Sequence, residues 1–401
     1  MDHAPRDARA GVVDAGVVSS RLPALVAIAA ALVLLTGCVP APAPTSPPES
    51  ITPTPTPTVD PLAGMSLEQR VGQLFMVGSP AGEPGTEALD ALQSRFVGGV
   101  FLSGRSALGV DATRAVVDQL TAASTSAIPV LVATDQEGGE VQVLRGPGFS
   151  SIPSGLEQGS LDVSALTAQA EQWGAELAAA GVNFDLAPVS DVVADAASAE
   201  ANAPIGAFHR EFGFDQQTVE QHAGAVVQGM RSSGVITSPK HFPGLGLVTD
   251  NTDTTAGVTD SVTDEDSPSI RVAQTLIGDG ADCLMVSTAD YALLDPGVPA
   301  AFSPVIVDGL LRQRLGFTGV VITDDLSGAT QITAWSPADR AIMSIEAGDD
   351  IVLVSRYPQY AAEMIDAVVA KAQTDAAFAK KVDVAARRVL ALKATLPVDS
   401  R

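Results

Sequence analysis

The chain has 401 residues, enough for one large domain or two ordinary ones, and its 46% hydrophobic content excludes a disordered polymer. Its 47 acidic side chains against 23 basic ones leave a net charge of −24, a surface that repels polyanions and argues against nucleic-acid binding. Two cysteines, Cys38 and Cys283, and four histidines show no metal-type spacing, so a metal mechanism is disfavoured and a disulfide between the two cysteines is not expected.

Residues 1–37 read as an export signal. Arg6, Arg9 and Arg21 precede an apolar run over residues 22–35, shorter than the ~20 residues a spanning helix needs. The run ends in L-T-G-C, which resembles a bacterial lipobox with Cys38 as the lipidated residue. The alternative is a plain export signal followed by an incidental cysteine. Lipidation would place the protein outside the cytoplasm, anchored to the membrane. Residues 38–64 then form a linker: nine prolines fall within residues 39–61, a composition that favours extended polyproline II over a core. The folded domain is expected over residues 65–398, opening on a capping box between Ser66 and Gln69.

Within that domain, short apolar runs alternate with helical patterns. The runs predict strands at 75–78, 100–103, 130–135, 183–187, 236–240, 284–287, 320–324 and 351–355, continuous enough to be buried on both faces. Leu166, Ala170, Trp173 and Leu177 recur at helical spacing. Ser303-Pro304 and Ser336-Pro337 mark helix starts, and Gly316 and Gly348 mark helix ends. Eight strands with intervening helices predict an α/β fold, a single (β/α)8 TIM-type barrel with some enlarged loops. A doubly wound sheet is the alternative, but no G-x-G-x-x-G follows the first strand.

In a (β/α)8 barrel the carboxyl ends of the strands face the active site. Those ends carry Asp135, Asp185, Lys240, His241 and Asp324. No Ser-His-Asp set, P-loop or cofactor fingerprint accompanies them, so no cofactor is expected. Carboxylates with polar side chains around a pocket are the equipment for cleaving glycosidic bonds.

The motifs L-E-Q-R-V-G-Q-L-F from Leu67, D-Q-E-G-G from Asp135, L-A-P-V-S-D-V from Leu186, K-H-F-P-G from Lys240 and L-G-F-T-G-V-V-I-T-D-D-L-S from Leu315 keep one order along the domain. Together they resemble glycoside hydrolase family 3, in its single-domain β-N-acetylglucosaminidase branch. The resemblance implies Asp324 as nucleophile, with Asp325 hydrogen-bonded within its loop. It also implies that Asp135, Arg210, Lys240 and His241 hold the sugar, and that Asp185 and Asp191 are structural. Arg210 rests on the local H-R-E-F-G match alone.

The chain departs from the family at the acid/base. The branch usually continues K-H-F-P-G-H-G and then D-S-H, whose aspartate and histidine form the acid/base dyad. Here Leu245 replaces the first histidine, and Asn251-Thr252-Asp253 occupies the D-S-H positions. Glu140 stands where arginine is usual. Two readings follow. Asp253 is itself the general acid/base, positioned by Asn251 on a mobile loop. Alternatively acid catalysis is lost and a glycan-binding lipoprotein remains. The first is preferred, because a carboxyl is the usual glycosidase acid, and Asp253 would also repel a phosphate acceptor, favouring hydrolysis over phosphorolysis. The expected protein is a monomeric, retaining exo-hydrolase. It would release terminal β-linked N-acetylglucosamine from cell-wall-derived or related glycans, as in peptidoglycan recycling. A β-glucosidase or β-xylosidase is the nearest variant.

Overall fold

A computed structural model describes residues 60–397; the export signal, Cys38 and the linker up to residue 59 lie outside them. Eight parallel strands form the centre: β1 (Phe75–Pro80), β2 (Gly99–Ser103), β3 (Leu131–Thr134), β4 (Phe184–Asp185), β5 (Ile236–Thr237), β6 (Cys283–Val286), β7 (Val320–Thr323) and β8 (Val352–Val354). Six pair in the order β8-β1-β2-β3-β4-β5, and β6 pairs with β7. Parallel bridges Phe242–Val286 and Ile322–Ile351 join the two sets into a closed ring. The expected barrel is the observed one.

Alternation along each strand explains why the runs are apolar throughout. Successive side chains point to opposite faces, so in β1 Met76 points inward while Phe75 and Val77 face the helices. The interior is filled by Met76, Phe101, Leu131, Phe184, Ile236, Met285, Ile322 and Leu353. Val389, Leu392 and Leu396, near the chain's end, belong to the same cluster. Fully burying each such side chain contributes about 1.5–3 kcal/mol. The interior is packed, so the chemistry sits above it, at one end.

Local signals fix the helices. Ser66 and Gln69 form the capping box reciprocally. The Ser336 hydroxyl accepts from the Asp339 N–H, with Pro337 at the first helical position. Ser303 accepts the Ile306 N–H at the start of the helix Val305–Arg314, which is wound with the wider π spacing. Gly348 and Gly316 take the left-handed conformation at helix ends, with φ of 117° and 74°. Leu166, Ala170, Trp173 and Leu177 form the buried stripe of the helix Val163–Ala179. Leu62, ahead of Met65, is buried in the core as well.

β4 and β5 are shorter than the runs predicted. Pro188 and Pro239 have no N–H to give to a ladder. Past the ladder the Ser238 N–H still reaches the carbonyls of Asp185 and Ala187, and the two segments bridge again at Val189 and Lys240. Beyond it the chain is free to carry long loops, and the loops after β3, β4 and β5 build most of the site.

Candidate active site

The loops following the strands enclose a cavity of about 220 Å³ at the carboxyl end of the barrel. Asp135, Arg210, Lys240, His241, Asp253 and Asp324 all line it. Residues 118 positions apart in the chain, Asp135 and Asp253, thus face one small space. The volume is below the ~300–1,000 Å³ of drug-sized ligand sites, a scale that suits one sugar ring.

One wall is a buried ion network. The Lys240 ammonium lies 2.7 Å from Asp135 and 2.6 Å from Glu137. Arg210 grips Glu137 with two bonds of 2.8 Å each and donates a third, of 2.7 Å, to the Pro204 carbonyl. Burial alone would raise the Glu137 carboxyl, but Arg210 and Lys240 together hold it down at about 2. Burial likewise opposes the charge on Lys240, and Asp135 and Glu137 reverse the effect, leaving its pKa raised. Glu137 was not singled out from the sequence. Its signal was position: in an extended segment it falls on the same side as Asp135, two residues earlier.

The motif's glycines are required by space. A side chain at Gly138 would meet the Pro153 carbonyl at 2.1 Å, and φ there is 111°. Below the network, Asp185 is fully buried and accepts the Gln136 N–H at 2.9 Å. Burial, reinforced by Asp135 and Glu137, pushes its carboxyl up to about 7. It does not line the cavity, and its place under the wall is structural.

Lys240 and His241, joined by a cis peptide bond, both face the cavity. Asp191 orients His241 by accepting from Nδ1 at 2.7 Å, and it also accepts the Leu245 N–H at 2.6 Å. Asp191 is buried behind His241 and does not line the cavity.

The opposite wall holds the two carboxylates of interest. Asp324 follows β7 directly and accepts the Asp325 N–H at 2.7 Å. Asp325 is wholly engaged: it accepts from the Ser327 N–H and hydroxyl and from the N–H groups of Gly328, Ser355 and Arg356. That leaves Asp324 as the free member of the pair.

Asp253 sits at the rim, with part of its surface open to solvent, yet protein atoms crowd its cavity side. Desolvation by those atoms, and then the charges of Asp324 and Asp325, raise its carboxyl to about 6. Asn251 helps differently from expectation. Its carbonyl oxygen accepts the Asp253 backbone N–H at 2.8 Å, so it fixes the main chain and leaves the carboxyl free. The expected mobile loop is also docked: the Thr330 hydroxyl and N–H both donate to the Asp253 carbonyl, and the Gln331 N–H donates to Thr252. Leu245, where the family carries histidine, is buried in the core and cannot serve as a donor.

Chemically, one wall offers fixed charges for hydroxyl groups. The other sets the Asp324 carboxylate beside a carboxyl whose pKa is displaced upward, two carboxyl groups given different roles by their surroundings. Glu140, the other departure from the family pattern, has an exposed side chain at the hairpin turn beyond Gly139.

The family model for the glycosyl hydrolase family 3 N terminal domain matches residues 66–392. A beta-hexosaminidase of Stenotrophomonas maltophilia (strain K279a) is 33% identical over 314 residues, covering 76% of this chain and 89% of its own. One of Xanthomonas euvesicatoria pv. vesicatoria (strain 85-10) is also 33% identical, over 319 residues, covering 76% and 90%. Among solved structures, the beta-N-acetylhexosaminidase of Beutenbergia cavernae DSM 12333 is similar with a TM-score of 0.82 and 62% identity, over 83% of this chain and 99% of its own. A family 3 beta-N-acetylglucosaminidase from Paenibacillus sp. str. FPU-7 gives a TM-score of 0.75 at 27% identity, over 82% and 62%.

Proposed function

The chain belongs to glycosyl hydrolase family 3, and from that premise we propose that it is a retaining exo-β-N-acetylhexosaminidase with Asp324 as nucleophile and Asp253 as acid/base. The observation that carries the reading is the placement of Asp253. The residue that replaces the family's histidine lines the same cavity as Asp324 and is held near a pKa of 6.

In the first step, the Asp324 carboxylate attacks the anomeric carbon while protonated Asp253 gives its proton to the departing glycosidic oxygen. The C–O bond to the leaving group breaks as the glycosyl–aspartate ester forms. In the second, Asp253, now ionised, takes a proton from water. The hydroxyl adds to the anomeric carbon and the Asp324 carboxylate departs. Two inversions give net retention. Asp135, Lys240, Arg210 and His241 hold the hydroxyls of the ring, and the small cavity supports removal of one terminal sugar at a time.

The sugar is N-acetylglucosamine, supported by the hexosaminidase relatives. For the leaving group, support comes from Arg356, which lines the rim and stacks its guanidinium 5.8 Å from the Tyr357 ring centroid. No carboxylate of the described residues pairs with it. In so acidic a chain, an unpaired guanidinium at the rim favours a leaving sugar that bears a carboxylate, as cell-wall glycans do. Export and anchoring through Cys38 would bring a monomeric enzyme to such glycans; a lipoprotein-processing inhibitor should then shift the protein's mobility on a gel.

Turnover of 4-nitrophenyl N-acetyl-β-glucosaminide, followed by NMR of the released sugar, tests the mechanism. The first-formed product should be the β-anomer, and Asp324→Ala should lose on the order of 10⁴-fold in kcat. Release of the α-anomer, or an active Asp324→Ala, would contradict the assignment.

A further inference from the structure

The loop that carries Asp253 is fastened at three places. At its base, Asn202 is buried and donates from Nδ2 to the carbonyls of Leu245 and Val248 at 2.8 and 2.7 Å. Its other end accepts the N–H groups of Ile205 and Gly206, so all its polar valences are used. At the tip, the Thr330 hydroxyl donates to the Asp253 carbonyl at 2.8 Å and the Gln331 N–H to the Thr252 carbonyl at 3.0 Å. At the far end, the Gln331 side chain mimics a strand neighbour. Its Oε1 accepts the Val258 N–H at 2.8 Å and its Nε2 donates to the Val258 carbonyl at 3.1 Å.

Thr330 and Gln331 belong to the same loop as Asp324. That loop is itself held from below. Arg340 donates to the carbonyls of Leu326 and Ser327, and Asp325 ties it to Ser355 and Arg356. The nucleophile and the acid/base therefore sit on one hydrogen-bonded frame, although 71 residues separate them.

We propose that Gln331 and Thr330 are positioning residues that set Asp253 at the glycosidic oxygen by clamping its loop to the nucleophile's loop. The clamp does for this chain what closure of a mobile loop does elsewhere: it completes the catalytic pair, here before substrate arrives. Neither residue lines the cavity. Their loss therefore acts on the two steps that use Asp253, and kcat/KM isolates the first, which needs the acid in place. The proposal rests on Asp253 being the acid/base, and its test keeps the two ideas apart.

The experiment compares kcat/KM for chitobiose, whose leaving group needs a proton, with that for the nitrophenyl sugar, whose leaving group needs little help. Gln331→Ala should lose roughly 10- to 100-fold on chitobiose, the scale expected of a misplaced catalytic group, and no more than about 3-fold on the nitrophenyl sugar. Thr330→Val, which removes one hydroxyl at nearly constant shape, should show the same selectivity to a smaller extent. In both variants the basic limb of the chitobiose pH profile should move down, as Asp253 regains water. Equal losses on the two substrates, or an unchanged ratio and pH limb, would overturn the clamp. Asp253→Ala assayed with added azide reports on the underlying reading alone. Restored turnover of the nitrophenyl sugar with formation of the glycosyl azide supports the acid/base assignment, and absence of both sinks it whatever the clamp variants do.

Discussion

Two lysines are buried at opposite ends of this barrel, and they meet opposite fates. Lys240, at the catalytic end, lies against Asp135 and Glu137, and its pKa is raised. Lys393, in the helix Ala376–Ala394, is as deeply buried beneath β1. Among the described residues its hydrogen-bond partner is the Gln73 amide oxygen at 2.6 Å, and burial pushes it down to about 7. Desolvation acts on both. What differs is the counter-charge, present at the wall of the cavity and absent where the chain is only closing its core. Lys240 keeps its charge because two carboxylates compensate it, and Lys393 has no such compensation.

Removing the ammonium at each end sharpens that contrast. Lys240→Met leaves Glu137 and Asp135 short of a buried counter-ion, and should cost about 3–5 kcal/mol in a denaturant titration and abolish measurable sugar binding. A stable variant would mean that the network is less coupled than its distances state.

Lys393→Met should do the reverse. The folded pKa of Lys393 lies below its unfolded value of 10.5, so between about 7 and 10.5 the unfolded chain holds more protons. Wild-type stability therefore rises with pH across that window and is flat below it. The methionine variant should be more stable by on the order of 2 kcal/mol at pH 6, after the cost of leaving Gln73 unpaired. Its advantage should shrink toward pH 10. Denaturation midpoints at pH 6 and pH 9.5 would show this, and a variant destabilised equally at both would break the comparison.

The sequence made the frame legible because the frame's physics is local and repetitive. Apolar runs, serine caps and terminal glycines each leave a signal within a few residues, and all eight strands lie where those signals place them. The site was legible through its strand ends: Asp135, Lys240, His241 and Asp324 needed only their position after a run. Asp253 came from motif spacing and Arg210 from a local H-R-E-F-G match, and the fold brings both to the cavity. What remained hidden depends on contact between distant loops. Nothing near Gln331 announces that its amide will grip Val258, and nothing near Asn251 says it will hold a backbone N–H in place of a carboxyl. Glu137 lay between, visible as a same-side neighbour of Asp135 but not as the hub of two cations.

The central claim is that Asp253 has taken over from the family's histidine, and one comparison reaches it most directly. Asp253→Ala should lose roughly 10²- to 10⁴-fold in kcat/KM on chitobiose and far less on 4-nitrophenyl N-acetyl-β-glucosaminide. Wild-type activity on chitobiose should fall as pH rises through about 6, where Asp253 gives up the proton it must donate. Equal, small losses on both substrates, with the wild-type limb unmoved, would show that the proton comes from elsewhere.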